Sequence, residues 1–61
     1  MTKPQAREIA TAQKYIALGM IDTAARTVSA LIRSAMRAKD QAEILAFAET
    51  HGLTNHPEFI V

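Results

Sequence analysis

The side chains best equipped for chemistry in this sequence are basic. Arg26, Arg33 and Arg37 follow one another at seven- and four-residue steps, so a helix aligns them in one row, with Lys39 close to its end. Guanidinium groups in such a row grip phosphates through paired N–H donors. Arg26, Arg33, Arg37 and Lys39 are therefore the candidate nucleic-acid contacts. The charge balance favours a solvated helix face instead. Seven Lys and Arg stand against six Asp and Glu, a net charge of +1. That leaves no field strong enough to steer the chain onto a polyanion. No aromatic residue lies among the arginines to stack on bases.

Other chemistries find fewer residues. His51 and His56, with Glu49 and Glu58 nearby, outline a metal site on paper. Zinc needs three or four well-placed ligands, and the chain has no cysteine to supply one. A histidine at a helix end more commonly caps carbonyls or packs on the core. Ser29 and Ser34 have no histidine at helical spacing and no glycine-rich turn to expose them as nucleophiles. Glu43 and Glu49 fall on a solvated face by periodicity, so they do not form an acid–base pair. Gly19 and Gly52 are isolated and cradle no phosphate. The expectation is a protein that is not an enzyme and that uses no cofactor or metal.

The elements that must position these residues read as helices. A length of 61 residues makes one domain, near the lower limit for independent folding. Without cysteine there is no disulfide to staple it, a usage that fits a reducing compartment and sets the expected location as cytoplasmic. No apolar run approaches the ~20 residues of a membrane span, and residues 1–5 hold no stretch of signal-peptide type.

Thr2 and Gln5 form a capping-box pattern, with Pro4 in the first turn, and open a helix over about residues 3–18. Ile9, Ala12, Ile16 and Met20 share its apolar face, and Gly19 is its stop. Asp22 is the expected cap of a second helix over about residues 23–38, with Ala24, Val28, Leu31 and Ala35 as its stripe and Ile32 at the edge. Asp40 with Glu43 is the expected start of a third, over about residues 41–51, ended by Gly52. The tail covers residues 53–61, where Asn55 with Glu58 can cap one further turn.

No glycine or proline separates the second helix from the third, so a single helix from Thr23 to His51 is the alternative. Phase decides between them. At 100° per residue, Ile44, Phe47 and Ala48 continue the line of Arg26 and Arg33, not that of Val28 and Leu31. A bend between Arg37 and Asp40 brings both apolar faces into one core. The expected fold is all-α: a helical hairpin plus a third helix in a small three-helix bundle. The straight alternative suits a helix-swapped homodimer, and leftover apolar surface suits a side-by-side one.

Two partial likenesses bear on function. From Ala12 to Arg33 the chain resembles a DNA-binding helix-turn-helix, with Gly19 between Leu18 and Met20 at the turn. It departs from that pattern at Tyr15, where a small residue is usual, and at Ala25, where a larger branched one is. The segment also resembles one tetratricopeptide-type helix pair through Ala12, Tyr15, Gly19 and Ala24. Here the departures are Glu8, at an apolar position, and Met36, at a position that often holds proline. The second resemblance implies a helix-hairpin geometry suited to binding proteins, in a family whose units are stable through stacking.

The apolar residues exceed what one small bundle can enclose. Tyr15 and Leu18 fall on or near the polar side of the first helix, and Met36 flanks the stripe of the second. Phe59, Ile60 and Val61 end the sequence as an apolar triplet. Such a triplet can fold back on the bundle, serve as a recognised tail, or close a dimer. Tyr15, Leu18, Met36, Phe59, Ile60 and Val61 are thus the candidate partner-binding residues. The expected function is a non-enzymatic protein–protein interaction or self-association module, with another copy or another protein as partner. A small nucleic-acid-binding regulator using the arginine row is the alternative, and no membrane association is expected.

Overall fold

Thr2 and Gln5 start the first helix by satisfying each other's backbone. In the computed structural model, which describes residues 1–61, the Thr2 N–H donates to Gln5 Oε1 at 2.8 Å and the Gln5 N–H donates to Thr2 Oγ1 at 3.3 Å. Helix α1 runs Lys3–Ala17. It closes through two crossed bonds, Gly19 N–H to the Ile16 carbonyl at 3.0 Å and Met20 N–H to the Tyr15 carbonyl at 2.8 Å. This Schellman geometry needs a left-handed residue, and Gly19 supplies it at φ 78° without a Cβ penalty.

Because that turn ends at Met20, α2 begins immediately and covers Ile21–Ser34, two residues ahead of the expected start. Met20 holds the N-cap position with no side-chain bond, while Ala24 N–H donates to its carbonyl at 3.1 Å. Asp22, the expected cap, sits inside the first turn, where its charge suits the positive end of the helix.

The boundary between α2 and α3 falls earlier than expected. Helix α2 stops at Ser34, Ala35 and Arg37 are extended (ψ 130° and 136°), and α3 covers Ala38–Thr50. The single helix from Thr23 to His51 is not formed. The break lies at residues 35–37, not between Arg37 and Asp40, because Ala35 is the last residue of the α2 stripe. One more helical turn would commit Ile44, about 160° around the axis from Val28, to the opposite side. The side chain of Gln41 covers the break by donating to the Ala35 carbonyl at 2.8 Å. Asp40 does not cap α3. It is buried in the first turn, between two cations. Gly52, left-handed at φ 70°, ends α3, and a 3-10 turn at Leu53–Asn55 follows. Asn55 is the last residue of that turn, and the turn after it is bonded through His56 and not through an Asn55 cap.

The fold is an all-α, three-helix arrangement with α2 at its centre. Helices α1 and α3 both pack on α2 and scarcely touch each other. Half of the ten buried apolar residues are alanines: Ala12, Ala24, Ala25, Ala35 and Ala48. Around them Ile9, Val28, Leu31, Ile44 and Leu53 supply the volume. Tyr15, Ile16, Ile21, Ile32, Phe47 and Phe59 lie half-buried over this core. Met20, grouped by periodicity with Ile9 and Ile16, is exposed because α1 ends before reaching it.

Two neighbours on α3 test this register. Ile44 is fully enclosed and Leu45 points outward. Ile44→Ala should lower unfolding free energy by about 2–5 kcal/mol in urea titrations, whereas Leu45→Ala should change it by about 0.5 kcal/mol or less. Equal losses at the two positions would contradict the observed face of α3.

Candidate interaction surface

The C-terminal segment lies across the outer side of α2. Leu53 anchors it in the core, and beyond the 3-10 turn the chain reverses at His56. The Glu58 N–H donates to His56 Nδ1 at 3.1 Å and the Phe59 N–H to the His56 carbonyl at 3.0 Å. These bonds set Phe59 against the core, half-buried. Two arginines of α2 then hold the segment. Arg26 Nη1 pairs with Glu58 Oε1 at 3.3 Å, and Arg33 Nη1 donates to the Ile60 carbonyl. Between the arginines lies a cleft of about 280 Å³ lined by Arg26, Ser29, Ala30, Arg33, Glu58 and Ile60. The hydroxyl of buried Ser29 is already used, donating to the Arg26 carbonyl at 3.2 Å.

The arginine row expected on the second helix is shortened to two members. Arg37 lies in the extended break, where its Nε is 3.4 Å from Asp40 Oδ2, and Lys39 is exposed in the first turn of α3. Three of the four candidate phosphate contacts thus have protein partners, and the fourth is on another helix.

Asp40 gathers charges that no local reading connects. Its second oxygen, Oδ1, is 3.4 Å from the Met1 ammonium, which also donates to Glu43 Oε1 at 3.0 Å. The start of α1 is thereby tied to the start of α3, next to the break. A buried carboxylate with a cation at each oxygen is a satisfied group, not a free one. Sequence periodicity carries no sign of this contact, because its partners are 39 positions apart (residues 1 and 40).

The two histidines are drawn to different places. His51 tilts against Phe47, with ring centroids 4.5 Å apart. His56 Nε2 is 3.8 Å from Asp22 Oδ1. Ser34 Oγ donates to the Leu31 carbonyl at 3.0 Å. A second, open groove of about 360 Å³ runs between α1 and α2 over Glu8, Thr27, Ala30, Leu31 and Ser34.

Of the candidate partner-binding residues, Tyr15 and Phe59 pack against the core and are only partly accessible. The other four are strongly exposed: Leu18 at 73%, Met36 at 96%, Ile60 at 62% and Val61 at 66%. Met20 and Leu45 join them, and spacing singles out neither as a contact residue. Leu18 and Met20 sit on the α1–α2 turn and Met36 in the α2–α3 break, so apolar side chains mark both ends of α2. No helix is long and apolar enough to cross a membrane. No protein-family model, curated protein or solved structure matches the chain.

The terminal clamp gives a pH dependence of definite sign. The hydrogen bond to Glu43 is the largest influence and holds the α-ammonium above its ordinary pKa of 8.0; desolvation opposes it, and the hydrogen bond to Asp40 adds a smaller upward push. A raised folded-state value means the stabilisation is fully present below pH 8 and is lost as pH rises through the folded pKa. Urea midpoints should therefore begin to fall early, as pH rises past 8 and the ammonium deprotonates. An N-acetylated chain should lack that early component, and an identical fall in the acetylated chain would rule the clamp out.

Proposed function

We propose that this chain is a non-enzymatic interaction module that self-associates through helix-to-helix contact, in a reducing compartment such as the cytoplasm. The observation that carries the reading is an inversion of side-chain size. Half the core residues are alanine, while Leu18, Met36, Ile60 and Val61 stand in solvent. Single exposed apolar residues are ordinary on protein surfaces. Several large ones, at the turn, the break and the tail of a 61-residue chain, are apolar surface in search of cover.

The physical case is one of scale. A domain of this size encloses only about 60% of the surface its unfolded chain exposes. Folds of this length without disulfide or metal draw on exceptional helix packing or on association. The absence of cysteine removes the first kind of staple. Fully burying one Leu or Met is worth roughly 1.5–3 kcal/mol, so covering a few such residues matters to a chain with little stability to spare. Met36 has no neighbour to lose, which makes it the side chain with most to gain from a partner.

Sedimentation velocity over a concentration series, from low to several hundred micromolar, tests the reading. A reversible monomer–dimer equilibrium is expected. Leu18→Lys with Met36→Lys should shift it at least about tenfold toward monomer, a change of ~1.4 kcal/mol, with helicity and the thermal midpoint of the dilute monomer unchanged because neither side chain is packed. A well-folded monomer at every concentration would overturn the proposal.

A further inference from the structure

The docked tail shows what kind of ligand the outer face of α2 accepts. Arg26 and Arg33 are seven residues apart on α2, two helical turns, so about 10.5 Å separates their positions along the axis. They bind an extended segment at two points, one acidic side chain (Glu58) and one backbone carbonyl (Ile60), with Phe59 set inward between them. That is a peptide-binding arrangement: a charge contact, a main-chain contact and an apolar anchor. In this chain its occupant is the chain's own residues 56–61.

The grip is loose. The Arg26–Glu58 pair is half-exposed on both sides, Phe59 is only half-buried, and Ile60 and Val61 remain in solvent. Ion pairs so exposed contribute little. Segments with few buried contacts open locally without unfolding the rest. The pivot is also defined. Leu53 is locked in the core, so the tail can swing only beyond the 3-10 turn, at Asn55–His56–Pro57. His56 is extended (ψ 139°), the conformation that a following proline favours whether the tail is closed or open.

We propose that α2 of one copy binds residues 56–61 of a second copy, and the second α2 binds the tail of the first, in a reciprocal exchange. This rests on the self-association reading and adds to its helix-to-helix contact a second, tail-to-helix one. The occupant follows from complementarity already on view: the second copy's Glu58 meets Arg26, its Ile60 carbonyl meets Arg33, and its Phe59 takes the same half-buried seat. The closed tail competes at an effective concentration on the order of millimolar. A tail exchanged one way would lose to it. Reciprocal exchange remakes both sets of contacts and sets the exposed Ile60 and Val61 of each copy against the other. Each such side chain, once covered, multiplies an association constant roughly ten- to a hundredfold. Exchange of an identical segment about a short hinge is a low-cost route to a symmetric pair.

The sequence has no cysteine, so two single-cysteine chains report on the exchange directly. Full-length Arg26→Cys and full-length Glu58→Cys are mixed at the concentration where sedimentation shows dimer, then treated with a short bismaleimide. Exchange predicts a covalent heterodimer, joined from position 26 of one chain to position 58 of the other, at several times its statistical share over the two homodimers. It also predicts loss of that product when Arg33→Glu is added to the Arg26→Cys chain. Circular dichroism of each variant controls for folding. If Arg26→Cys loses helicity, Ala30→Cys on the same cleft replaces it. A dimer in sedimentation with only statistical cross-linking overturns the exchange and leaves self-association through another surface. A monomer with no cross-link removes both.

Discussion

The distance at which two helices can pass one another depends on what stands between them, and in the core around α2 half of that is alanine. Ala24 and Ala25 on α2 face neighbours that themselves bring Ala12 and Ala48, all fully buried. Small side chains let backbones approach closely, and close approach is how a chain with 5% aromatics packs an interior at ordinary density. The rest follows from this. The few large side chains, Ile9, Val28, Leu31, Ile44 and Leu53, supply the rest of the core volume. Other bulky residues have no room inside, and Leu18, Met36 and Ile60 are left in solvent.

The break at Ala35–Arg37 is the second consequence. With α2 in the middle, α3 contributes to the core only by turning back, yet the break contains neither glycine nor proline. Helix breaks normally trace to such residues or to a side chain or water inserted in the ladder. Here the extended backbone is held by its surroundings. Gln41 satisfies the Ala35 carbonyl, Arg37 reaches Asp40, and the Met1 ammonium closes the group from the far end of the chain. Those contacts offset the lost helical bonds and leave Ile44, Ala48 and Leu53 free to join the interior.

Much of the fold was legible from local chemistry. The Thr2–Gln5 box, the Gly19 and Gly52 stops and the Ala24–Val28–Leu31–Ala35 stripe all read directly, since capping and periodicity act over a few residues. The opposed phases of Val28 and Ile44 already exclude one straight helix that buries both, but the capping pattern puts the break some three residues late. The reason is Asp40. By type and spacing it looks like a cap, and only tertiary contact with Met1 makes it a buried, paired carboxylate. The tail was harder still. Phe59 reads as a residue able to fold back, yet nothing in the order of residues shows that Arg26 and Arg33 turn toward Glu58 and Ile60. A row of arginines on a helix carries the same signature whether it faces solvent, phosphate or its own chain.

The proposed function rests on the same constraint. A core that is half alanine leaves Leu18 and Met36 exposed, and the tail lies on α2 against Arg26 and Arg33. All of this depends on α2 and α3 being two helices. Amide hydrogen exchange on the full chain at neutral pH tests that most directly. The backbone N–H groups of Met36 to Asp40 have no backbone acceptor, while those of Ala35 and Gln41 bond the Leu31 and Arg37 carbonyls. The account predicts slow exchange through the middle of α2, a gap of fast exchange at residues 36–40, and renewed protection from Gln41 onward. Unbroken protection from Thr27 to Thr50 would mean one continuous helix, and would contradict the arrangement of α1 and α3 around α2.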